Sequence, residues 1–389
     1  MKHILVLGAG KIGALISGLL AESNDYHVHL ADSVEGAAEK VVRAHGFLNL
    51  SACTMDAGNK DDLRAYIQKH ELSAVISGLP YFCNVGVAEV AREHKLHYFD
   101  LTEDVEVTRT VRKLAEGADT VFVPQCGLAP GFISIAANEI IKHFDDLRSV
   151  KLRVGALPQH PNNVLKYSLT WSTDGVINEY GNLCQSIVNG RETDVLPLEG
   201  LEAIEIDGTK YEAFNTSGGL GSLAETYGAN VMTMDYKTIR YPGHCEQMRL
   251  LMNGLKLNQD RTTLKHILEN SVPQTLQDVV IIYAAVTGNQ DGELREENYV
   301  NKVYPQVVAG RLWSAIQITT AAGICSVMDI VLTAKTDRGG FVAQEEFSLN
   351  DILDNRFGRF YAHGGSSQTS AELVARGKTG HQRANKGTK

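Results

Sequence analysis

The sequence predicts an α/β protein: an N-terminal doubly wound parallel sheet, a second α+β domain, and C-terminal helices that return to the first domain. Three observations carry this. Short apolar runs alternate with helical periodicity six times before residue 126, as in strands joined through crossover helices. Beyond Gly131 strand-like stretches follow one another with fewer helical spacers. Residues 311–334 then form one helical run, much of it made of small residues such as Ala315, Thr319, Ala321, Ala322 and Gly323.

The first domain reads in order as KHILVLG (2–8), a helix over 11–23, HVHLAD (27–32), a helix over 34–46, LSACTMD (50–56) and a helix over 59–70. SAVISGL (73–79), a helix over 84–94, HYFDLT (97–102), a helix over 104–117 and TVFVPQ (120–125) complete it. In such a sheet, ligands lie at the carboxyl ends of the strands. A helix over 132–143 opens the second domain. Its strands are expected at 149–157, 165–171, 185–190, 202–207, 234–241 and 279–288, as an antiparallel sheet with helices on one face. The expected divisions are 1–128, 129–310, 311–363 and a Gly/Ser/Lys-rich tail, 364–389, read as disordered.

At 389 residues and 43% hydrophobic composition, the chain has apolar surface for two cores. Its formal net charge of −9 argues against a general nucleic-acid or anionic-membrane binder. A local basic pocket for a small anion stays compatible with it. Six scattered cysteines form no C-x-x-C pair, which points to reduced thiols and a cytoplasmic protein. The reading expects no signal peptide, no apolar run near 18 residues long and no metal site.

GAGKIG (8–13) follows a strand and opens a helix, and Asp32 ends the second strand 19 residues beyond Gly13. In that setting the motif is a Rossmann dinucleotide fingerprint. Gly8 permits the tight turn, Gly10 admits the pyrophosphate, and Gly13 lets helix and strand pack; Ala9, Lys11 and Ile12 complete the loop. The helix N-terminus then offers N–H groups to the phosphates. Asp32 accepts from ribose hydroxyls and repels a 2′-phosphate, and Ser33 to Gly36 contain no Arg or Lys. NAD is therefore favoured over NADP, the alternative being that Lys40 or Arg43 folds back onto the phosphate. Asp56-Ala57, Ser77-Gly78-Leu79-Pro80 and Asp100 stand at later strand ends. Asp56 either meets the adenine edge or caps the helix after it. Asp100 is either a deep catalytic carboxylate or a helix cap.

CGLAPG (126–131) before Phe132, NTSGG (215–219) and YKTIRYPGH (236–244), in that order behind the Rossmann motif, resemble the saccharopine dehydrogenase family. The resemblance covers about residues 1–335; GFVAQEE (340–346) and NRFG (355–358) also look like bacterial members. It implies NAD(P)-dependent oxidation at a carbon bearing nitrogen, with an amino-acid substrate bound between the domains. Hydride transfer would give an imine, which water opens to an aldehyde and an amine. Residues matching the motifs include Thr216, Ser217, Gly218, Lys237, Arg240 and His244. LKYSLTWSTDG (165–175) looks like the saccharopine-type version rather than the lysine 6-dehydrogenase type.

On this reading Arg240 grips a carboxylate with its planar fork. Lys237 adds a point charge, although a regular strand turns it to the other face. His244 is either the base for the substrate nitrogen or a hydrogen-bonding group. Tyr167 and Trp171 either pack on the substrate's aliphatic linker or belong to the core. A non-catalytic dinucleotide sensor is the reading of another class. A homodimer is expected from the frequency of symmetric oligomers.

Overall fold

The computed structural model describes residues 1–334 and 338–362. The tail expected over 364–389 lies outside the described residues. The chain divides into two compact units: Met1–Phe132 together with Gln317–Ala362, and a second containing Ile133–Ile316.

Unit 1 contains β1 (Lys2–Leu7), α1 (Lys11–Glu22), β2 (Tyr26–Asp32), α2 (Ala37–His45), β3 (Leu50–Thr54) and α3 (Lys60–Ile67). It continues through β4 (Ala74–Ser77), α4 (Tyr81–Glu93), β5 (His97–Asp100), α5 (Val105–Ala115) and β6 (Val121–Val123). A short strand at Gly340–Phe341 adds a seventh member, giving the parallel order seventh-β6-β5-β4-β1-β2-β3. Chain order reverses between β1 and β4, the switch point at which such sheets bind ligands. The strands are near-continuous apolar runs because both faces are covered; Ile4 to Leu7 are fully buried. Asn59 and Asp104 cap α3 and α5 by accepting from Asp61 N–H and Val107 N–H.

Unit 2 begins within α6 (Phe132–Ile141) and adds β7 (Asp146–Pro158), α7 (Thr173–Gly181), β8 (Cys184–Val188), β9 (Arg191–Val195), β10 (Glu202–Ile206) and β11 (Thr209–Asn215). It continues through α8 (Leu223–Tyr227), β12 (Val231–Arg240), α9 (His244–Arg249), α10 (Arg261–Ser271), β13 (Asp278–Gln290) and β14 (Glu293–Val303). β15 (Gln306–Val308) and β16 (Arg311–Trp313) form a separate ribbon. The main sheet runs β10-β11-β12-β7-β13-β14, with β8 pairing β12 and β9 pairing β8. It is mixed rather than antiparallel, because β7 and β12 run parallel. One face carries the helical layer: Phe214 packs with Val176, Ile177 and Tyr180 of α7, Met248 of α9 and Leu264 of α10. Residues of opposite strand parity, including Ala213, Ile239 and Ile281, form the core of the other face.

Leu165–Trp171 is not a strand. Its alternating apolar side chains pack as irregular chain among α7, α9 and α10, and the polar residues between them, Ser168 and Thr170, are buried as well, so the alternation in sequence marks packing without a ladder.

The chain leaves unit 2 in α11 (Ala315–Thr333), whose first N–H groups, from Ala315 and Ile316, donate to the Asp278 carboxylate at 2.6 and 3.0 Å. Contrary to expectation, α11 is long and apolar enough by length and composition to cross a membrane, but most of it is buried in the protein. A Cβ on Gly323 would lie 2.7 Å from the Cys126 carbonyl oxygen, so the helix packs there against backbone. α12 (Leu349–Asp354) and α13 (Arg359–Ala362) follow. Tyr361 of α13 stacks on Phe132 at 3.6 Å between centroids.

Candidate functional site

In unit 1 the β1–α1 turn has the geometry of a phosphate cradle. Gly8 has φ +95°, a conformation that excludes most side chains, and a Cβ on Gly13 would sit 1.8 Å from the Gly8 carbonyl oxygen. Gly10 differs: a Cβ there would meet nothing within 4 Å. Packing demands two of these glycines, and the third keeps open surface at the start of α1, which no side chain caps. That is the surface a pyrophosphate needs. Ala9 N–H donates to Asp32 Oδ2 at 2.7 Å and Val34 N–H to Oδ1 at 2.8 Å. The carboxylate is thereby fixed at the end of β2, and Ser33 beside it is exposed. Lys11 and Ile12 form the first turn of α1.

The later strand ends divide. Gly78 is exposed, with Leu79 partly so, and Pro80 stands immediately before α4. Ser77 turns inward, donating to Asn84 Oδ1 at 2.7 Å in the core, so its hydroxyl is not offered to a ligand. Asp56 is exposed and accepts from Gly58 N–H at 2.9 Å. The α3 cap expected of it falls to Asn59. Ala57 is buried in the core.

Asp100, expected as a catalytic carboxylate, is fully buried and accepts three hydrogen bonds: from Tyr98 Oη at 2.6 Å and from Thr102 N–H and Gln125 N–H at 2.9 Å. Burial pushes its pKa up against those donors. The geometry is that of a brace between the ends of β5 and β6 rather than of a group open to substrate.

In unit 2, Tyr236, Thr238 and Arg240 share one face of β12. Arg240 is 3% exposed. Its Nε donates to Tyr180 Oη at 2.9 Å and its Nη1 to the Ile239 carbonyl at 2.8 Å. The guanidinium carbon lies 4.9 Å from the centroid of the Tyr167 ring. Among the described residues no carboxylate comes within ion-pair distance of it; Glu179 acts on it from farther away. Trp171 Nε1 donates to Tyr167 Oη at 3.2 Å, which fixes that ring.

His244 is wholly buried at the start of α9. Its Nδ1 lies 2.7 Å from the Leu165 carbonyl and its Nε2 3.1 Å from Tyr180 Oη. A carbonyl only accepts, so Nδ1 carries the proton and Nε2 accepts from Tyr180. Burial, then the Arg240 charge, push its pKa down to about 3. Both nitrogens are engaged and the ring is neutral, so the geometry does not suit the expected general base.

Lys237 turns away, as strand parity requires. Its Nζ donates to the Gly200 carbonyl at 2.7 Å and to Glu202 at 2.8 Å, within a cluster that includes Arg153 and Asp235. The expectation that it joins Arg240 at the substrate is therefore corrected.

The NTSGG loop follows β11. Ser217 N–H donates to the Glu179 carbonyl at 3.0 Å, and Gly218 has φ +86°. A Cβ on Gly219 would lie 2.2 Å from the Tyr236 ring, so the loop backbone rests on that ring. Thr216 Oγ1 and Thr170 Oγ1 are buried without hydrogen-bond partners among the described residues. Buried hydroxyls are ordinarily paired, and two orphans accompany a buried guanidinium in this unit. Sequence reasoning missed Tyr180 and Glu179, on α7. The signals available were Ser172 as its N-cap and the apolar spacing Val176, Ile177, Tyr180.

The family models described as "Saccharopine dehydrogenase NADP binding domain" and "Saccharopine dehydrogenase C-terminal domain" match residues 4–122 and 127–365. The rat protein "Alpha-aminoadipic semialdehyde synthase, mitochondrial" is 23% identical over 271 residues, 64% of this chain but 27% of that protein's length. "Saccharopine dehydrogenase [NADP(+), L-glutamate-forming]" of Schizosaccharomyces pombe is 24% identical, over 53% of this chain and 45% of its own. The chain thus spans about a quarter to a half of these relatives' length. Among solved structures, apo saccharopine dehydrogenase (L-Glu forming) from Saccharomyces cerevisiae superposes with a TM-score of 0.73 at 18% identity, covering 91% of this chain and 96% of that one. A homospermidine synthase from Legionella pneumophila in complex with NAD gives 0.65 at 13%, covering 94% and 91%. These two likenesses establish the fold.

Proposed function

The chain belongs to the saccharopine dehydrogenase family, and from that premise we propose that it oxidises the C–N bond of saccharopine, yielding glutamate and 2-aminoadipate 6-semialdehyde. The observation that carries this is Arg240: a guanidinium 3% exposed with no carboxylate at ion-pair distance among the described residues. Burying a charge without a directly paired counter-ion is costly, even with Glu179 acting on it from farther away, and a substrate carboxylate offsets that cost. Saccharopine brings three carboxylates. Tyr167 and Tyr180 orient the guanidinium and exclude water from it, and the Thr216 hydroxyl is available to a polar substrate atom.

Gly8, Ala9, Gly10, Gly13 and Asp32 would hold the dinucleotide, which when bound supplies the hydride acceptor. For its identity we propose NAD. Support comes from the Asp32 carboxylate at the end of β2 and from the lack of Arg or Lys at residues 33–36. The matching domain family is described as NADP-binding and the fission-yeast relative is named for NADP(+), so the two cofactors are to be compared directly.

The deciding assay follows reduced-cofactor absorbance with saccharopine and with lysine side by side. Turnover of saccharopine with one glutamate released per hydride supports the proposal. Turnover of lysine alone, with ammonia released, replaces it with lysine 6-dehydrogenation. No turnover of either leaves the chain as a dinucleotide-binding protein of another role.

A further inference from the structure

Three hydrogen bonds run in one direction behind Arg240. Arg240 Nε–H donates to Tyr180 Oη at 2.9 Å, Tyr180 O–H donates to His244 Nε2 at 3.1 Å, and His244 Nδ1–H donates to the Leu165 carbonyl at 2.7 Å. The outer two directions are fixed, since a guanidinium only donates and a carbonyl only accepts; the middle one follows for a neutral ring, the form that burial beside the Arg240 charge favours. Every side chain in the chain is buried. The Tyr167 ring covers a face of the guanidinium, and the Ile239 carbonyl holds Nη1. The rotation of the planar group is therefore fixed about its own axis as well as in position.

We infer that Tyr180, itself held by His244, is a positioning residue: it fixes the rotation of the Arg240 guanidinium and so decides which of its edges receives a carboxylate. This rests on Arg240 as the carboxylate grip proposed above. With Nε engaged by Tyr180, a bidentate carboxylate must approach the edge formed by the two terminal nitrogens. A Phe at position 180 keeps the ring but removes the hydroxyl, leaving Arg240 Nε and His244 Nε2 both buried and unsatisfied. The guanidinium then keeps only the Ile239 carbonyl and the Tyr167 face to hold it, and its rotation is less closely set. His244 acts one step further back, because its neutral Nδ1–H form is what lets Nε2 accept.

The test uses the full chain. For Tyr180→Phe, KM for saccharopine should rise about 10- to 100-fold, the span expected for losing a hydrogen bond to a charged group. KM for the dinucleotide should stay within about twofold. His244→Ala should show the same split. His244→Gln, which can accept from Tyr180 and donate to Leu165, should restore part of the loss. The double variant Tyr180→Phe/His244→Ala should lose no more than either single one, as members of one chain do. An unchanged saccharopine KM in Tyr180→Phe, or losses that multiply in the double variant, would overturn the inference.

Nitrogen-15 spectra of the unaltered protein give a readout independent of turnover. His244 should hold the Nδ1–H form without titrating between pH 5 and 8. Arg240 Nε–H should exchange at least about tenfold more slowly than in Tyr180→Phe. A His244 that titrates near its ordinary value overturns the inference even if the enzyme is active. Protected signals without saccharopine turnover uphold the positioning chain while sinking the assignment of substrate.

Discussion

Two buried arginines lie on neighbouring strands of the unit 2 sheet and face opposite sides of it. Arg153 on β7 is 1% exposed and Arg240 on β12 is 3% exposed. Arg153 donates through Nε to Glu202 at 2.5 Å and through Nη2 to Asp235 at 3.0 Å. Lys237 completes that cluster, 2.8 Å from Glu202 and 3.6 Å from Asp235, so two cations meet two carboxylates. Arg240 has a phenol, a carbonyl and aromatic faces around it, with no carboxylate at ion-pair distance among the described residues. Burial alone thus does not distinguish a structural charge from a ligand-binding one. The partners differ: Arg153 is ion-paired to two carboxylates and ties strands together, whereas Arg240 is hydrogen-bonded to neutral groups with the Glu179 carboxylate beyond ion-pair distance, the arrangement on which its proposed carboxylate-binding role rests.

The largest effect that tests this contrast is expected at Arg240. Arg240→Met should lower kcat/KM for the amino-acid substrate by about 10²- to 10³-fold, with dinucleotide binding and the urea midpoint unchanged or the midpoint raised. A comparable fall in dinucleotide affinity would remove the distinction. Arg153→Met should do the reverse. It leaves two carboxylates facing one lysine and should cost about 3 kcal/mol of stability in urea titrations, with substrate affinity kept in the folded fraction. A loss below about 0.5 kcal/mol would show that the cluster is not structural.

Acidification sharpens the contrast less strongly. His244, behind Arg240, has its folded pKa pushed from the ordinary value of 6.5 down to about 3 by burial and by the arginine. The unfolded chain therefore binds the proton first. Stability is fully present above about pH 6.5 and is lost as pH falls through the window down to about 3, by on the order of 1–2 kcal/mol at pH 5. His29 in unit 1 follows the same rule. It is buried among His3, His27 and His70, and its pKa is lowered to about 4. The Arg153 cluster has the opposite history. Glu202, although partly buried, is held below its ordinary range by Arg153 and Lys237, so its contribution persists until lower pH. Urea titrations at pH 7 and pH 5 on the unaltered chain and on His244→Gln separate these contributions. Equal pH dependence in both proteins would mean that His244 carries no part of it.

The smallest effect concerns a charge of a third kind. Among the described residues Asp32 has backbone N–H partners only, from Ala9 and Val34, and it is partly exposed. Asp32→Ala should shift the ratio of kcat/KM for NADP over NAD upward by about tenfold, with little change in the substrate's KM. An unaltered ratio would remove Asp32 from cofactor choice.

Much of unit 1 was legible. GAGKIG and Asp32 fall where strand–turn–helix spacing puts them, and the buried parallel strands read as apolar runs. Unit 2 was legible in part. β14 was missed because ELREENYVNKV is an exposed, charge-rich strand at the end of the sheet without an apolar period, as edge strands often are. Leu165–Trp171 was misread because its alternating apolar residues pack in a helical layer as irregular chain, with Ser168 and Thr170 buried between them. At the candidate site, Arg240 was found by motif, and the opposite facing of Lys237 followed from counting residues along a strand. His244 was noticed but its role was not decided, because a histidine's availability depends on what its two nitrogens meet.

The sequence by itself determined what acts over a few residues: the turn that needs Gly8 and Gly13, the apolar period of α1, the strand parity that separates residues 237 and 240. Those follow from local sterics and from the repeat of each element. Only the tertiary structure decided which charges are neutralised. Glu202 lies 49 residues from Arg153, and Tyr180 lies 60 residues from Arg240. Side chains that distant in the chain meet through the pairing of β7, β10, β11 and β12 and the packing of α7. An ionic or hydrogen-bonding role is set by the final neighbours within a few ångströms, whatever their separation in sequence.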